Sequence, residues 1–328
     1  MAGGDFTVVP NKDIDHDNGV TTFDLVLMRQ HVLSTQLLDS PYKMIAADAN
    51  NSQSITTADI VLLRMLILTI IDELPSNTSW RFVDADYEFP NPANPWEETF
   101  PEIISYNNLT EDRDDTDFIG IKIGDVNGNA QANGLMNNGD ERGTGSLNFR
   151  TEKNRVKAGE EVTVQFSAER TDISGVQFTL GYDLNNLTFN RIEESSFYLE
   201  NFGLHRTAEG LITASWDKQG EEQAEFALTF TAQTDGELSD WLSFNSRLTR
   251  AEAYTLSGEV LDIELVFGEE NSTPNFALYQ NTPNPFRDKT LIGFVLPEAE
   301  EAIFEVYDVS GRLVYTCLLY TSPSPRDS

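Results

Sequence analysis

The chain has 328 residues and a formal charge of −32, from 54 acidic and 22 basic residues. At ordinary ionic strength it repels phosphate backbones and anionic headgroups, which counts against nucleic acid and membrane-surface partners. Its length allows two or three domains, each with a core of its own.

The N-terminal stretch MAGGDFTVVPNKD has neither the basic region nor the apolar core of a signal peptide, so any export signal is expected outside this sequence. Residues Asp13 to Asp24, DIDHDNGVTTFD, then place four aspartates before an apolar run. A shift of 35 aligns Asp13 with Asp48, Thr21 with Thr56, Thr22 with Thr57, Asp24 with Asp59, Val26 with Val61, Arg29 with Arg64 and Leu33 with Leu68. Repetition at one fixed interval indicates a duplicated unit, here an acidic loop followed by an apolar helix. The longest apolar run, Ile60 to Ile71, contains Arg64 and reads as a buried helix rather than a membrane span.

An EF-hand-type loop offers oxygens from positions 1, 3, 5, 7, 9 and 12, with position 7 contributing its carbonyl. The first loop supplies Asp13, Asp15, Asp17, the Gly19 carbonyl, Thr21 and Asp24. The second supplies Asp48, Asn50, Ser52, the Ser54 carbonyl, Thr56 and Asp59. Calcium takes six to eight hard oxygen ligands, so two Ca²⁺ sites are expected. The first is expected to bind more strongly, because it has four carboxylates against two and Asn18 rather than Gln53 at position 6. His16, at non-coordinating position 4, is expected to face solvent.

This constellation resembles the type I dockerin domain over roughly residues 11 to 74, with Ser40-Pro41 opening a short linker helix. The resemblance implies docking onto a cohesin-type protein partner through Thr22, Phe23, Thr57 and Ala58, with Arg29 and Arg64 further along each helix. That partner could be a separate chain or a sandwich within this one.

From Pro75 to about Arg142 the sequence is irregular and rich in proline, and its aromatic residues from Trp80 to Phe100 are expected to pack on the calcium module. Asp125, Asn127 and Asn129 have loop-like spacing, but Met136 stands at position 12, so the stretch reads as an Asx-stabilised turn. NGLMNNGDERGTGS reads as a linker, with a boundary near residue 143.

Between Gly145 and Gly268, runs such as EVTVQFSA, GVQFTLGYD, LITASWD and EFALTFTAQ alternate with period two, which predicts an antiparallel sandwich of about eight or more strands. The strand order resembles the cohesin fold and related carbohydrate-binding sandwiches. Trp216 and Trp241 read as core aromatics rather than sugar platforms. Adjacent acids such as Glu193-Glu194 and Glu221-Glu222 read as solvated charges, since a glycosidase needs two acids facing across a cleft. None of His16, His31 and His205 has a motif partner, and no catalytic machinery is expected.

The segment Asn275 to Tyr315, with YQNTPNPF and VYDVSGRLV, begins a small β domain. It resembles the type A C-terminal sorting domain of the type IX secretion system of Bacteroidota. The resemblance implies a parent protein handled by that machinery and secreted or held at the cell surface. Cys317 to Asp327, CLLYTSPSPRD, back-translates to a sequencing-adapter sequence, so the natural chain is expected to stop near Thr316, within this domain. With Cys317 as the single cysteine, no internal disulfide can form.

The expected fold class is therefore multidomain: a small α-helical dockerin-like module, an antiparallel β-sandwich and an incomplete C-terminal β domain. The expected boundaries are 1–74 for the calcium module, 75–142 for its extension, 143–268 for the sandwich, 269–316 for the truncated sorting domain and 317–328 for the artefact. The expected function is a non-catalytic, calcium-binding docking or adhesion portion of a secreted or surface protein, linked by resemblance to polysaccharide degradation. The alternatives are a carbohydrate-binding module, or the C-terminal fragment of a glycoside hydrolase whose catalytic domain lies upstream.

Overall fold

The computed structural model describes residues 3–132, 145–193 and 195–268, together with 277–278, 281, 289–290, 294–295, 301–307 and 310–320. The chain divides into two compact units, residues 1–267 and 268–328.

In the first unit the duplicated segments form α1 (Thr22–Val32) and α3 (Thr57–Ile67), with α2 (Pro41–Ala47) between them. Thr21 and Thr56 are the N-caps, and Asp24 and Asp59 reach back from the first turn in matching capping boxes. Ser40 caps α2 and Pro41 opens it, as the sequence predicts.

The apolar repeat positions are buried together: Leu25 and Met28 from α1 meet Ile60, Leu63 and Leu66 from α3. The same core takes in Val83, Phe100, Ile121, Ile123 and Val126. The proline-rich extension is thus folded back over the helices, where Phe89 lies 5.1 to 5.8 Å from the rings of Tyr42, Tyr87 and Phe100. Two ribbons brace this half of the unit: β1 (Gly4–Val8) pairs antiparallel with β3 (Ile104–Leu109), and β2 (Trp80–Asp84) with β4 (Phe118–Lys122). No helix among the described residues is long and apolar enough to cross a membrane.

The second half of the unit carries β5 (Ser146–Thr151), β6 (Arg155–Val156), β7 (Glu161–Ala168), β8 (Ile173–Tyr182), β9 (Leu187–Glu193), β10 (Phe202–Gly203) and β11 (Leu211–Asp217). It continues with β12 (Glu225–Ala232), β13 (Gly236–Glu237), β14 (Leu242–Asn245), β15 (Glu252–Thr255) and β16 (Val260–Phe267). Ten of these strands share one sheet, in the order β10-β11-β8-β15-β16-β5-β7-β12-β9, with β14 also on β8. All its pairings are antiparallel except β16 with β5.

The sheet curls so that its two ends face each other across one aromatic core. Phe178 of β8 lies 6.1 Å from Phe149 of β5 and 5.4 Å from Phe226 of β12. Strand β7 alternates cleanly, with Val162, Val164, Phe166 and Ala168 inward and Glu161, Thr163 and Gln165 outward. Trp216 is a core residue as the sequence predicts: it is 1% exposed, stacks on Phe197 at 5.2 Å and donates its indole N–H to the Ser196 carbonyl at 3.0 Å.

Strands β8 and β11 break the alternation. Nine of the ten residues of β8 and every residue of β11 are buried. The face turned away from the aromatic core is therefore covered by something else.

The second unit contains β17 (Ala277–Leu278) paired with β18 (Phe294–Val295), and β19 (Glu301–Tyr307) paired with β20 (Leu313–Tyr320). Most of YQNTPNPF lies outside the described residues, as do residues 321–328 of the adapter-like tail.

Candidate docking interface and metal loops

The register of β8 and β11 sets Gly175 opposite Asp217, Gln177 opposite Ser215 and Thr179 opposite Thr213. In sequence these positions look like the wet side of an amphipathic strand. Here Gln177, Thr179, Thr213, Ser215 and Asp217 are all buried. Their cover is α1 from Thr22 to Arg29 and the end of α3, with the Thr249 backbone over Thr179.

The buried polar groups of this face are hydrogen-bonded, as burial requires: Thr179 to the backbone of Thr249 within the sandwich, and the others to groups from α1 and the end of α3. The Thr22 amide donates to Gln177 Oε1 at 2.7 Å, and the Thr22 and Ser215 hydroxyls share a hydrogen bond of 2.7 Å. Phe23 stacks on Tyr254 of β15 with centroids 5.5 Å apart. Arg29 and Arg64, the two copies of one repeat position, converge on Asp217, whose side chain is completely buried. Arg64 Nη1 also lies 3.9 Å from Glu200 Oε1.

The end of α3 is completed by the sandwich. A helix leaves its last carbonyls without intrahelical partners. Thr249 Oγ1 donates to the Ile67 carbonyl at 2.6 Å, and Thr213 Oγ1 donates to the Leu68 carbonyl at 2.8 Å.

Two glycines make the approach possible. A Cβ on Gly175 would meet Thr22 Cγ2 at 3.1 Å and Val26 Cγ2 at 3.3 Å, and one on Gly203 would come within 2.8 Å of the Leu68 carbonyl oxygen.

Of the contact residues expected from the sequence, Thr22, Phe23, Arg29 and Arg64 are at this interface, while Thr57 and Ala58 are exposed. The sandwich side of the contact, from Gln177 to Thr249, was not foreseen. A polar residue alternating with core residues carries the same signal whether it faces water or a polar partner.

The metal-loop residues fall into two different arrangements. In the second loop Asp48 and Asp59 are fully buried. Asp48 Oδ1 accepts from the Ser52 amide and Oδ2 from the Gln53 amide, each at 2.8 Å, and Ser52 Oγ lies 3.3 Å from the Ser54 carbonyl. Burial first, and Asp59 next to it, push the Asp48 carboxyl above its usual range. Two buried acids with Asn50, Ser52, Ser54 and Thr56 oxygens beside them form a hard donor set that fits calcium.

The first loop is divided. Asp13 Oδ1 accepts from the Ser79 amide at 2.7 Å and lies 3.1 Å from His16 Nε2. His16 does not face solvent as expected: it is buried, because its Nδ1 accepts from the Leu74 amide at 3.2 Å and Lys122 of the extension closes on its carbonyl. Asp24, the expected closing ligand, accepts through Oδ1 from the Val126 and Asn127 amides at 2.8 and 3.0 Å. Lys122 is buried nearby and donates through Nζ to the His16 carbonyl at 2.6 Å. Among the described residues, no three His, Cys, Asp or Glu side chains gather in a metal-holding group. The Asp125 turn is stabilised as expected, with Asp125 Oδ1 accepting from the Gly128 and Asn129 amides.

Burial, followed by the neighbouring Asp125, pushes Asp24 up to about 7. A raised acid favours the folded state only while it is protonated, so its contribution falls as pH rises from about 4 to about 7. In the presence of a chelator, the parent chain is expected to lose melting temperature over that interval and Asp24→Asn to lose less. Thermal melts at matched ionic strength check this, and parallel curves would contradict it.

The described part of the chain thus holds a mostly antiparallel, curled β-sheet docked by a helical pair from the same chain. No protein-family model matches the chain, and a search of curated proteins finds no match. Among solved structures, it is similar to a chain from a type I cohesin–dockerin complex of Clostridium thermocellum, at 15% identity over 40% of this chain and 99% of that one, with a TM-score of 0.31. It is also similar to the sixth cohesin of scaffoldin B from Acetivibrio cellulolyticus, at 16% identity over 38% and 99% of the two chains, with a TM-score of 0.29. For a seventh type I cohesin from Pseudobacteroides cellulosolvens the figures are 22% identity, 37% and 87% coverage, and a TM-score of 0.27.

Proposed function

We propose that residues 1–267 act as a self-docked, non-catalytic scaffold, in which a calcium-stabilised dockerin-like helical pair clasps a cohesin-like sandwich of the same chain. The observation that carries this reading is the convergence of Arg29 and Arg64 on the buried Asp217. Two arginines one repeat apart are spent on a single carboxylate of the sandwich. The calcium part is supported by the donor set of the second loop and by the buried carboxylates at both helix starts. Export to the cell surface is supported by the sorting-domain resemblance of residues 269–316, and an adhesive or docking role at the surface follows from a rigid, non-catalytic segment placed there. The link to polysaccharide breakdown rests on the dockerin resemblance.

The test is to insert a protease site between residues 133 and 144 of the full chain and cut it. The two fragments are expected to co-elute on size exclusion in calcium. Fragments that separate at micromolar concentration would refute self-docking.

A further inference from the structure

The stretch Asp13–Asp24 and the loop that helix α1 meets in the fold are different pieces of chain. Loop two supplies the pattern. Asp48 accepts from the amides four and five residues on, Ser52 through Oδ1 and Gln53 through Oδ2, each at 2.8 Å. Asn50 Oδ1 accepts from the Ser52 amide at 3.0 Å. Asp59 closes the ring, accepting from the Asn50 amide through Oδ1 at 3.1 Å and from the Thr56 amide through Oδ2 at 2.9 Å.

Every one of these bonds has a counterpart around α1, but not from Asp13. Asp125 accepts from the amides four and five residues on, Asn129 through Oδ1 at 3.0 Å and Ala130 through Oδ2 at 2.8 Å. Asn127 Oδ1 accepts from the Asn129 amide at 3.0 Å. Asp24 takes the place of Asp59, accepting from the Asn127 amide through Oδ1 at 3.0 Å and from the Thr21 amide through Oδ2 at 2.8 Å.

Asp13 makes none of these contacts. It is held by the Ser79 amide, and the Asn18 amide, five residues on, donates instead to the Asp15 carbonyl at 3.1 Å. The fold also buries the Lys122 ammonium beside this cluster, where it donates to the His16 and Ile123 carbonyls and feels the charges of Asp125, Asp17, Asp24 and Asp15. A buried charge is retained only when it is compensated.

We propose that the calcium loop serving α1 is discontinuous, with Asp125, Asn127 and Asn129 supplying its opening oxygens and Thr21 and Asp24 closing it, in place of Asp13, Asp15 and Asp17. The proposal rests on the calcium reading above and replaces one of its two ligand sets. The role of the first acidic stretch is then to fold against Ser79 and Lys122.

Calorimetric calcium titration of the full chain, paired with thermal melts, separates the two ligand sets. Asp125→Asn combined with Asn129→Ala is expected to remove one of two bound calcium equivalents and to lower the melting temperature in calcium but not in EDTA. Asp13→Asn combined with Asp15→Asn is expected to leave both equivalents in place. The opposite outcome, with stoichiometry following Asp13 and Asp15, overturns the proposal and leaves the calcium reading standing. No binding by the parent chain overturns both. If the Asp125 variant fails to fold in EDTA, Asn127→Ala serves instead, with at least tenfold weaker binding at one site expected and unchanged affinity counting against the proposal.

Discussion

Asp217→Ala is expected to open the interface between the helices and the sandwich. Its carboxylate is fully buried and receives both Arg29 and Arg64, and Arg64 is itself only 5% exposed. Removing the carboxylate leaves a buried guanidinium whose Nε already lacks a hydrogen-bond partner. Breaking a buried ion pair from one side costs about 3–5 kcal/mol, mostly as the penalty of the charge left behind. That corresponds to a loss of roughly a hundred- to a thousandfold or more in the docking equilibrium. In the chain cut between residues 133 and 144, the variant fragments should separate where the parent fragments co-elute. A control distinguishes lost charge balance from lost shape: the triple change Asp217→Leu, Arg29→Met and Arg64→Met should restore co-elution, because apolar replacement of a whole buried ionic group is often neutral or stabilising. Co-elution of the Asp217→Ala fragments would show that the hydroxyl and ring contacts suffice alone.

Removing divalent metal is expected to have the next largest effect. A ligand that binds only the folded state stabilises it by about 4 kcal/mol when present at a thousandfold excess over its dissociation constant. Without it, the buried Asp48 and Asp59 carboxyls face each other, as Asp24 and Asp125 do. The effect should reach the interface, because Asp24 stands two residues after Thr22, whose amide donates to Gln177 and whose hydroxyl bonds Ser215. Loosening the start of α1 therefore loosens its docking contacts. EDTA should lower the melting temperature, reduce helical circular dichroism and speed hydrogen exchange at the Thr22 amide, and added calcium should restore all three. Identical melts with and without calcium would rule this out.

The parts of this protein that the sequence by itself determined are those with local causes. The interval of 35 places two loop–helix units, because caps and apolar spacing act within a turn or two of the chain. Period-two alternation in runs such as Glu161–Ala168 specifies strands with one buried face. The core position of Trp216 was legible in the same way.

Tertiary structure alone decided how these pieces meet. Thr213, Ser215 and Asp217 alternate with core residues just as solvent-facing residues do, and only the arrival of α1 and α3 buries them. His16 is buried because a segment some 58 residues downstream folds over it. Asp24 bonds through Oδ2 to Thr21 at its own helix start, but through Oδ1 to amides 102 and 103 residues away. A contact between distant residues imposes no period and no spacing on the chain, so it becomes visible only when packing brings its two halves together.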